Sequence, residues 1–309
     1  MRVADAGAKS GDFREAVRVA AGIRRRVLEH TLRHDGGYLS QACSSAEILA
    51  ALYTRIMRLG AGEGPKMPRR FPGSPGRRNP ESFTGAAYNG RKAPDLDRFV
   101  FSPAHYALVL YAALIETGRL SEEALAEFNT DGSTVELIGA EHSPGHEVTA
   151  GSLAQAVSQA GGIALARKLR GETGRVWVFM SDGEFQEGQT WEAIAALAHH
   201  RIGGLGIFVD ANGQQCDGLM TGVMTAEPLV ARLVAFGAAA REVDGHDFRA
   251  LVDAATRPWG ERPLVVVART NPCNGLDLLR ARAPLLHYVR FRSDAERGLY
   301  EAELERMGG

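Results

Sequence analysis

The chain is poor in the features that mark specialised classes of protein. It has three cysteines in 309 residues, Cys43, Cys216 and Cys273. Their spacing fits neither a zinc site nor a disulfide framework, and so few thiols suit a reducing, cytoplasmic setting. No run of 18 apolar residues occurs, which argues against a membrane-spanning helix. The opening MRVADAGAKSGDFREAV lacks the apolar stretch of a signal peptide. Excess charge is missing too. Thirty-six Lys and Arg face 37 Asp and Glu, for a net charge of −1. That balance offers no broad positive field to gather nucleic acid or an anionic membrane. No G-x-G-x-x-G follows a hydrophobic strand, so a dinucleotide-binding reading finds no support. Internal repeats and low-complexity tracts are absent.

What remains is a long alternation of elements, and the length allows a sizeable core. Residues 1–60 read as a helical segment packed on that core. Ala16, Val19, Ala20, Ile23 and Val27 recur at helical spacing. Asp35-Gly36-Gly37 interrupts them, and a second helix is expected over 44–59, capped by Ser44 or Ser45. Residues 61–97 are rich in Gly, Pro and Arg and read as a surface loop or insertion. Their arginines could also meet a phosphorylated ligand or a partner chain. Residues 98–270 alternate. Strands are expected at 99–102, 176–180, 205–209, 239–243 and 264–268. Helices are expected at 106–116, 121–128, 153–169, 190–199, 228–236 and 248–256. Continuous apolar strands separated by helices imply an α/β fold, a parallel sheet with helices on both faces. Residues 271–309 turn at Pro272 and Gly275 and continue as a charged, helical tail. All four zones are read as one structural domain.

The chemistry concentrates in residues 176–217, VWVFMSDGEFQEGQTWEAIAALAHHRIGGLGIFVDANGQQCD. Asp182 and Asn212 each lie just past the C-terminal end of an expected strand. In an open parallel sheet such ends sit side by side and form the ligand crevice. A carboxylate and an amide oxygen brought together there are hard ligands suited to Mg²⁺, with Ca²⁺ or Mn²⁺ as substitutes. Gly183 leaves room for a close approach of backbone to a diphosphate. The helix that follows favours an anion at its start. Taken singly, Asp-Gly and Asn-Gly are ordinary turns.

Together these residues resemble the thiamine-diphosphate motif, a Gly-Asp-Gly turn followed one strand later by Asn-Asn. EFQEGQTWEA brings them closest to the transketolase family. Three further segments resemble that family: GHEVTAGSLAQA (145–156), FSPAHY (101–106) and GYLSQA (37–42). The resemblance implies the thiamine-diphosphate-binding fold. It assigns the metal to Asp182, Asn212 and the backbone carbonyl of Gln214. The cofactor would lie against His105, Gly151, Ser152, Leu153, Asp182, Gly183, Glu184 and Asn212. Catalytic roles fall to His105, Glu187 and His287, with Glu187 reaching the subunit interface. Substrate would meet Tyr38, His105 and His287. The chain departs from the pattern at Ser181, Ala154 and Ala156, each in place of glycine, at Ala211, and at Tyr38, where the family has a substrate-facing histidine.

The resemblance covers residues 14–290 but only the first domain of the family. The pyrimidine-binding domain is expected from a separate C-terminal subunit, in an α2β2 assembly. The implied activity is transfer of a two-carbon ketol unit from a ketose (phosphate) to an aldose. Rival readings are the α subunit of another thiamine-diphosphate enzyme, of 2-oxo acid dehydrogenase or 1-deoxy-sugar synthase type, and a non-catalytic regulatory paralogue. EGQTWEA and the Gly-Ser-Leu turn favour transketolase over the first. Intact Asp182 and Asn212 argue against the second.

Overall fold

The computed structural model describes residues 12–62, 64–73, 76–216 and 218–308. Helix α1 (Arg14–Arg33) carries the stripe expected of it, with Ala16, Val19, Ala20, Ile23 and Val27 all buried. It packs on α2 (Leu39–Ala51), in which every residue is buried. Helix α2 runs straight into a π-helical turn at Leu52–Ile56. The second helix therefore begins at Leu39 and not at Ser44. Ser44 and Ser45 lie inside it and are not caps. The Ser45 hydroxyl donates to the carbonyl of Gln41 at 2.6 Å, the local bond a serine makes inside a buried helix.

Residues 58–97 contain one regular element among those described, the 3₁₀ turn Gly85–Asn89. This stretch is not wholly a surface loop. Tyr88 and Asn89 are buried. Tyr53 donates to Asn89 Oδ1 at 2.9 Å, and Asn89 Nδ2 donates to the carbonyl of Gly145 at 3.0 Å. A polar side chain that satisfies buried partners belongs to the core, a property that composition does not register.

The alternating region follows in chain order. It comprises β1 (Arg98–Phe101), α3 (Ala107–Glu116), α4 (Gln155–Leu169), β2 (Val176–Ser181), α5 (Gly188–His199) and β3 (Leu205–Ala211). A short hairpin, β4 (Gln214–Gln215) and β5 (Gly218–Leu219), precedes α6 (Leu229–Ala235), β6 (Ala239–Asp244), α7 (Phe248–Thr256) and β7 (Leu264–Arg269). Helix α8 (Asp294–Gly308) closes the chain. The expected helix at 121–128 is a 3₁₀ segment, Glu122–Glu127. The helix expected from Leu153 starts at Gln155, because Ala154 takes a left-handed φ of 67° that cannot continue a helix.

Five strands form one parallel sheet in the order β1-β2-β3-β7-β6. Side chains alternate across it. Phe99, Phe101, Trp177, Phe179 and Phe208 enter one core under α1, α2 and α3. Val100, Val178, Met180, Ile207 and Val209 enter the other, under α4, α5 and α6. Each large apolar side chain so buried contributes about 1.5–3 kcal/mol. Strands β2 and β3 are buried throughout, while the edge strand β6 is half-exposed. Among the described residues no helix is long and apolar enough to cross a membrane.

Candidate functional site

Strands β2 and β3 pair in register, Ser181 opposite Asp210, so their C-terminal tips open on one edge. Ser181 keeps φ −93° and needs no glycine. Asp182 opens the turn beyond it, and the N–H of Gly213 donates to Asp182 Oδ2 at 2.7 Å. That bond ties the two tips together and brings Asp182 and the Asn212 turn to one place. Asn212 Oδ1 accepts from the N–H of Gln214 at 2.8 Å, and Nδ2 donates to Tyr106 Oη at 2.9 Å.

Asp182 is 5% exposed, and no salt bridge reaches it among the described residues. Burial, then the neighbouring Asp210, pushes its carboxyl up from 3.8 to about 7. A buried carboxylate without a cation is costly, and a positive ligand would relieve it. There is room for one. A Cβ added at Gly183 or Gly213 would meet only open space. No group of three or more His, Cys, Asp or Glu side chains could hold an ion among the described residues. The turn beyond β3 brings an amide oxygen, Asn212 Oδ1, beside the Asp182 carboxylate. The donor set therefore suits a hard cation shared with a diphosphate.

Glu184 does a different job. It is fully buried, and one oxygen accepts from Ser102 and from the N–H of Ala154 (3.0 Å). The other accepts from the N–H of Ser181 at 2.8 Å. This carboxylate braces the ends of β1 and β2 and the start of α4. Gly151, Ser152 and Leu153 are exposed in the turn just before α4. Glu187 is exposed at the N-cap of α5, and its side chain makes no capping bond.

Asp210 escaped the sequence reading. It is fully buried at the end of β3 and accepts from Ser44 (2.5 Å), Tyr106 (2.8 Å), Asn212 (3.2 Å) and Thr270. An acid ending an otherwise apolar strand, LGIFVD, was the available signal. Its donors come from three distant segments, which a motif cannot display.

The mouth of the site gathers Tyr38, His105 and His287, and adds Tyr288. Ring centroids lie 6.0 Å apart for Tyr38 and His105, 5.4 Å for Tyr38 and His287, and 5.1 Å for the two histidines. Gln41 Nε2 donates to the carbonyl of His287 at 3.1 Å and lies 3.3 Å from its Nδ1. Burial and the nearby His287 push His105 down to about 3. Its imidazole is therefore neutral near pH 7.

This fold and this edge define an α/β domain whose strand tips form a ligand crevice of the open parallel-sheet kind. The family model described as "Transketolase, thiamine diphosphate binding domain" matches residues 83–276. A transketolase family protein of Sinorhizobium fredii is 34% identical over 266 residues, which is 84% of this chain and 86% of that protein. An apulose-4-phosphate transketolase subunit of Actinobacillus succinogenes is 27% identical over 95% of this chain and 98% of its own length. A 6-deoxy-6-sulfo-D-fructose transketolase subunit of a Clostridium species is 30% identical over 79% of this chain and 81% of its own. The solved transketolase of Campylobacter jejuni superposes with a TM-score of 0.68 at 20% identity, over 96% of this chain but 47% of that one. The chain belongs to the transketolase family.

Proposed function

We propose that the chain is the diphosphate-binding subunit of a split transketolase dependent on thiamine diphosphate and Mg²⁺. In this reading it moves a two-carbon ketol unit from a ketose phosphate to an aldose. The observation that carries the reading is the buried, unpaired Asp182 carboxylate bonded across to the Asn212 turn under two open glycines. The near-complete match to relatives named as transketolase subunits supports a two-chain enzyme.

When bound, thiamine diphosphate supplies the carbon nucleophile for ketol transfer. The chain's own residues hold and orient. Asp182, Asn212 Oδ1 and the Gln214 carbonyl would hold Mg²⁺ against the diphosphate. Glu184 keeps the surrounding turns in place. At the mouth, His287 stands beside neutral His105, which exchanges hydrogen bonds with sugar hydroxyls. Tyr38, its phenol pushed above its usual range by burial, does so as a hydroxyl and not as a base. Glu187 stands exposed for a neighbouring subunit. Ile138, Leu153, Leu219, Val223 and Met224 are exposed apolar side chains, and Ile138 adjoins Gly151. Exposed apolar side chains suit a protein cover, here a separate pyrimidine-domain subunit in an α2β2 assembly.

The experiment is activity by parts, with thiamine diphosphate and Mg²⁺ present throughout. The purified chain should be inactive alone and transfer ketol units once the pyrimidine-domain subunit is added. Transfer by the chain alone would refute the split enzyme. Turnover of 2-oxo acids but not ketoses by the pair would refute the assignment of reaction.

A further inference from the structure

We propose that Gln41 is a positioning residue that sets the tautomer of His287. It holds Nδ1 as an acceptor, so that the imidazole presents an Nε2–H donor to an oxygen of the ketose. This role rests on the ketol-transfer reading and adds the residue that decides which way one hydrogen bond at the substrate mouth runs.

Gln41 lies in the first turn of α2 and is 3% exposed. In so dry a place an amide must aim each end at a suitable partner. One end lies 3.1 Å from the backbone carbonyl oxygen of His287. A carbonyl only accepts, so the NH₂ faces it. The other end lies 3.0 Å from Ser40 Oγ, whose hydrogen is shared with the carbonyl of Leu286 at 2.8 Å. Oε1 accepts there. The reversed amide would set two carbonyl oxygens 3.1 Å apart, so both ends agree on one orientation.

The same NH₂ lies 3.3 Å from His287 Nδ1. An amide NH₂ carries hydrogens and no lone pair that accepts, so Nδ1 meets it only as an acceptor. A proton on Nδ1 would point at the amide hydrogens. The ring proton therefore sits on Nε2, the other edge of the imidazole. The backbone holds this arrangement in place. Gln41 bonds the carbonyl of His287, Ser40 bonds that of Leu286, and Gly37 and Val289 exchange two backbone bonds of 3.0 and 2.9 Å. The segment from Leu286 to Val289 is thus tied to the start of α2 on both sides of the imidazole. The ring stands edge-on to Tyr38 and 5.1 Å from the ring of His105, at the mouth where substrate enters.

The direction of the bond matters to the reaction. A ketose carbonyl oxygen only accepts, so a lone pair on Nε2 could not bind it, whereas Nε2–H does. That bond strengthens as the oxygen gains negative charge during attack on the carbonyl carbon.

The test begins with ¹⁵N–¹H correlation spectra of the histidine rings in the isolated chain at pH 8. The His287 signal is the one lost in His287→Asn. The parent should show the Nε2–H tautomer. Gln41→Glu sets an acceptor opposite Nδ1 and should turn the ring to Nδ1–H. Gln41→Met, of similar length with neither donor nor acceptor, should leave a mixture. In the assembled pair, Gln41→Met should lower kcat for ketose donors about fivefold or more, with KM within about twofold, as expected for a bond that tightens in the transition state. An Nδ1–H tautomer in the parent would overturn the proposal without any variant having to fold. So would an unaltered tautomer in both Gln41 variants, or a shifted tautomer with unchanged kcat, and each of these leaves the ketol-transfer reading standing. Absence of transfer from any ketose by the parent pair would overturn that reading and, with it, this role.

Discussion

Replacing Asp182 by asparagine should make the isolated chain more stable at alkaline pH while removing its response to Mg²⁺ and thiamine diphosphate. The folded carboxyl lies near 7, against 3.8 for an ordinary aspartate. The folded state therefore binds more protons than the unfolded state between about pH 4 and 7. By linkage, this group's contribution falls as pH rises through that window and is constant above it. At pH 8 the charged folded state bears a penalty of about 4 kcal/mol from Asp182. Asparagine keeps an acceptor for the N–H of Gly213 and carries no charge.

The measurement is thermal unfolding of parent and Asp182→Asn chains from pH 5 to 8.5. The difference between them isolates this side chain from every other titrating group. For a chain of this length, 4 kcal/mol corresponds to roughly 6 °C. The variant should therefore melt higher than the parent at pH 8, and the gap should close toward pH 5. Adding Mg²⁺ with thiamine diphosphate should raise the parent's melting temperature and leave the variant's unchanged, since a cation offsets the penalty only where the carboxylate exists. Parallel pH curves, or a variant less stable at pH 8, would show that Asp182 is not a strained acid and refute the reasoning.

Two further outcomes follow from neighbouring groups. Glu184→Gln turns an NH₂ toward donors that need an acceptor, so it should cost about 2–3 kcal/mol in denaturant unfolding and weaken cofactor binding in calorimetry; unchanged stability would contradict the brace. His105 lies near 3 when folded and 6.5 when unfolded, so its stabilising share is lost as pH falls from about 6.5 toward 3. His105→Asn should flatten the acid limb of a stability profile, and the pH–rate profile of the assembled pair should show no inflection from this imidazole near pH 6–7.

The parallel sheet was legible because its strands are unbroken apolar runs: VWVFM and LGIFV admit few other readings. The nearness of Asp182 and Asn212 was legible because a parallel sheet forces the tips of adjacent strands together. The start of α2 was not, since Leu39 and Ser40 look like part of the Gly37 turn until Ser40 Oγ is seen donating to the carbonyl of Leu286. Tyr288 and Asn89 were missed for the same reason. Their importance lies in partners far along the chain, and no local pattern encodes those. Ala154 is a subtler case. Its departure from glycine was visible, but the left-handed φ it must adopt there was not.

The three buried acids of this edge separate structural work from ligand work. Asp210 has hydroxyl and amide donors from four side chains, and Glu184 has two backbone N–H groups and two serines. Each of those carboxylates is satisfied by the fold. Asp182 receives only backbone N–H groups, while its neighbour Asp210 opposes its charge. Desolvation acts on all three alike, so the difference in donors decides which one the protein leaves unsettled. A carboxylate fully served from within has no use for an added cation. One that is buried, underserved and beside open space over Gly183 gains most from a cation, and that asymmetry marks Asp182 as the acid through which an external ligand is held.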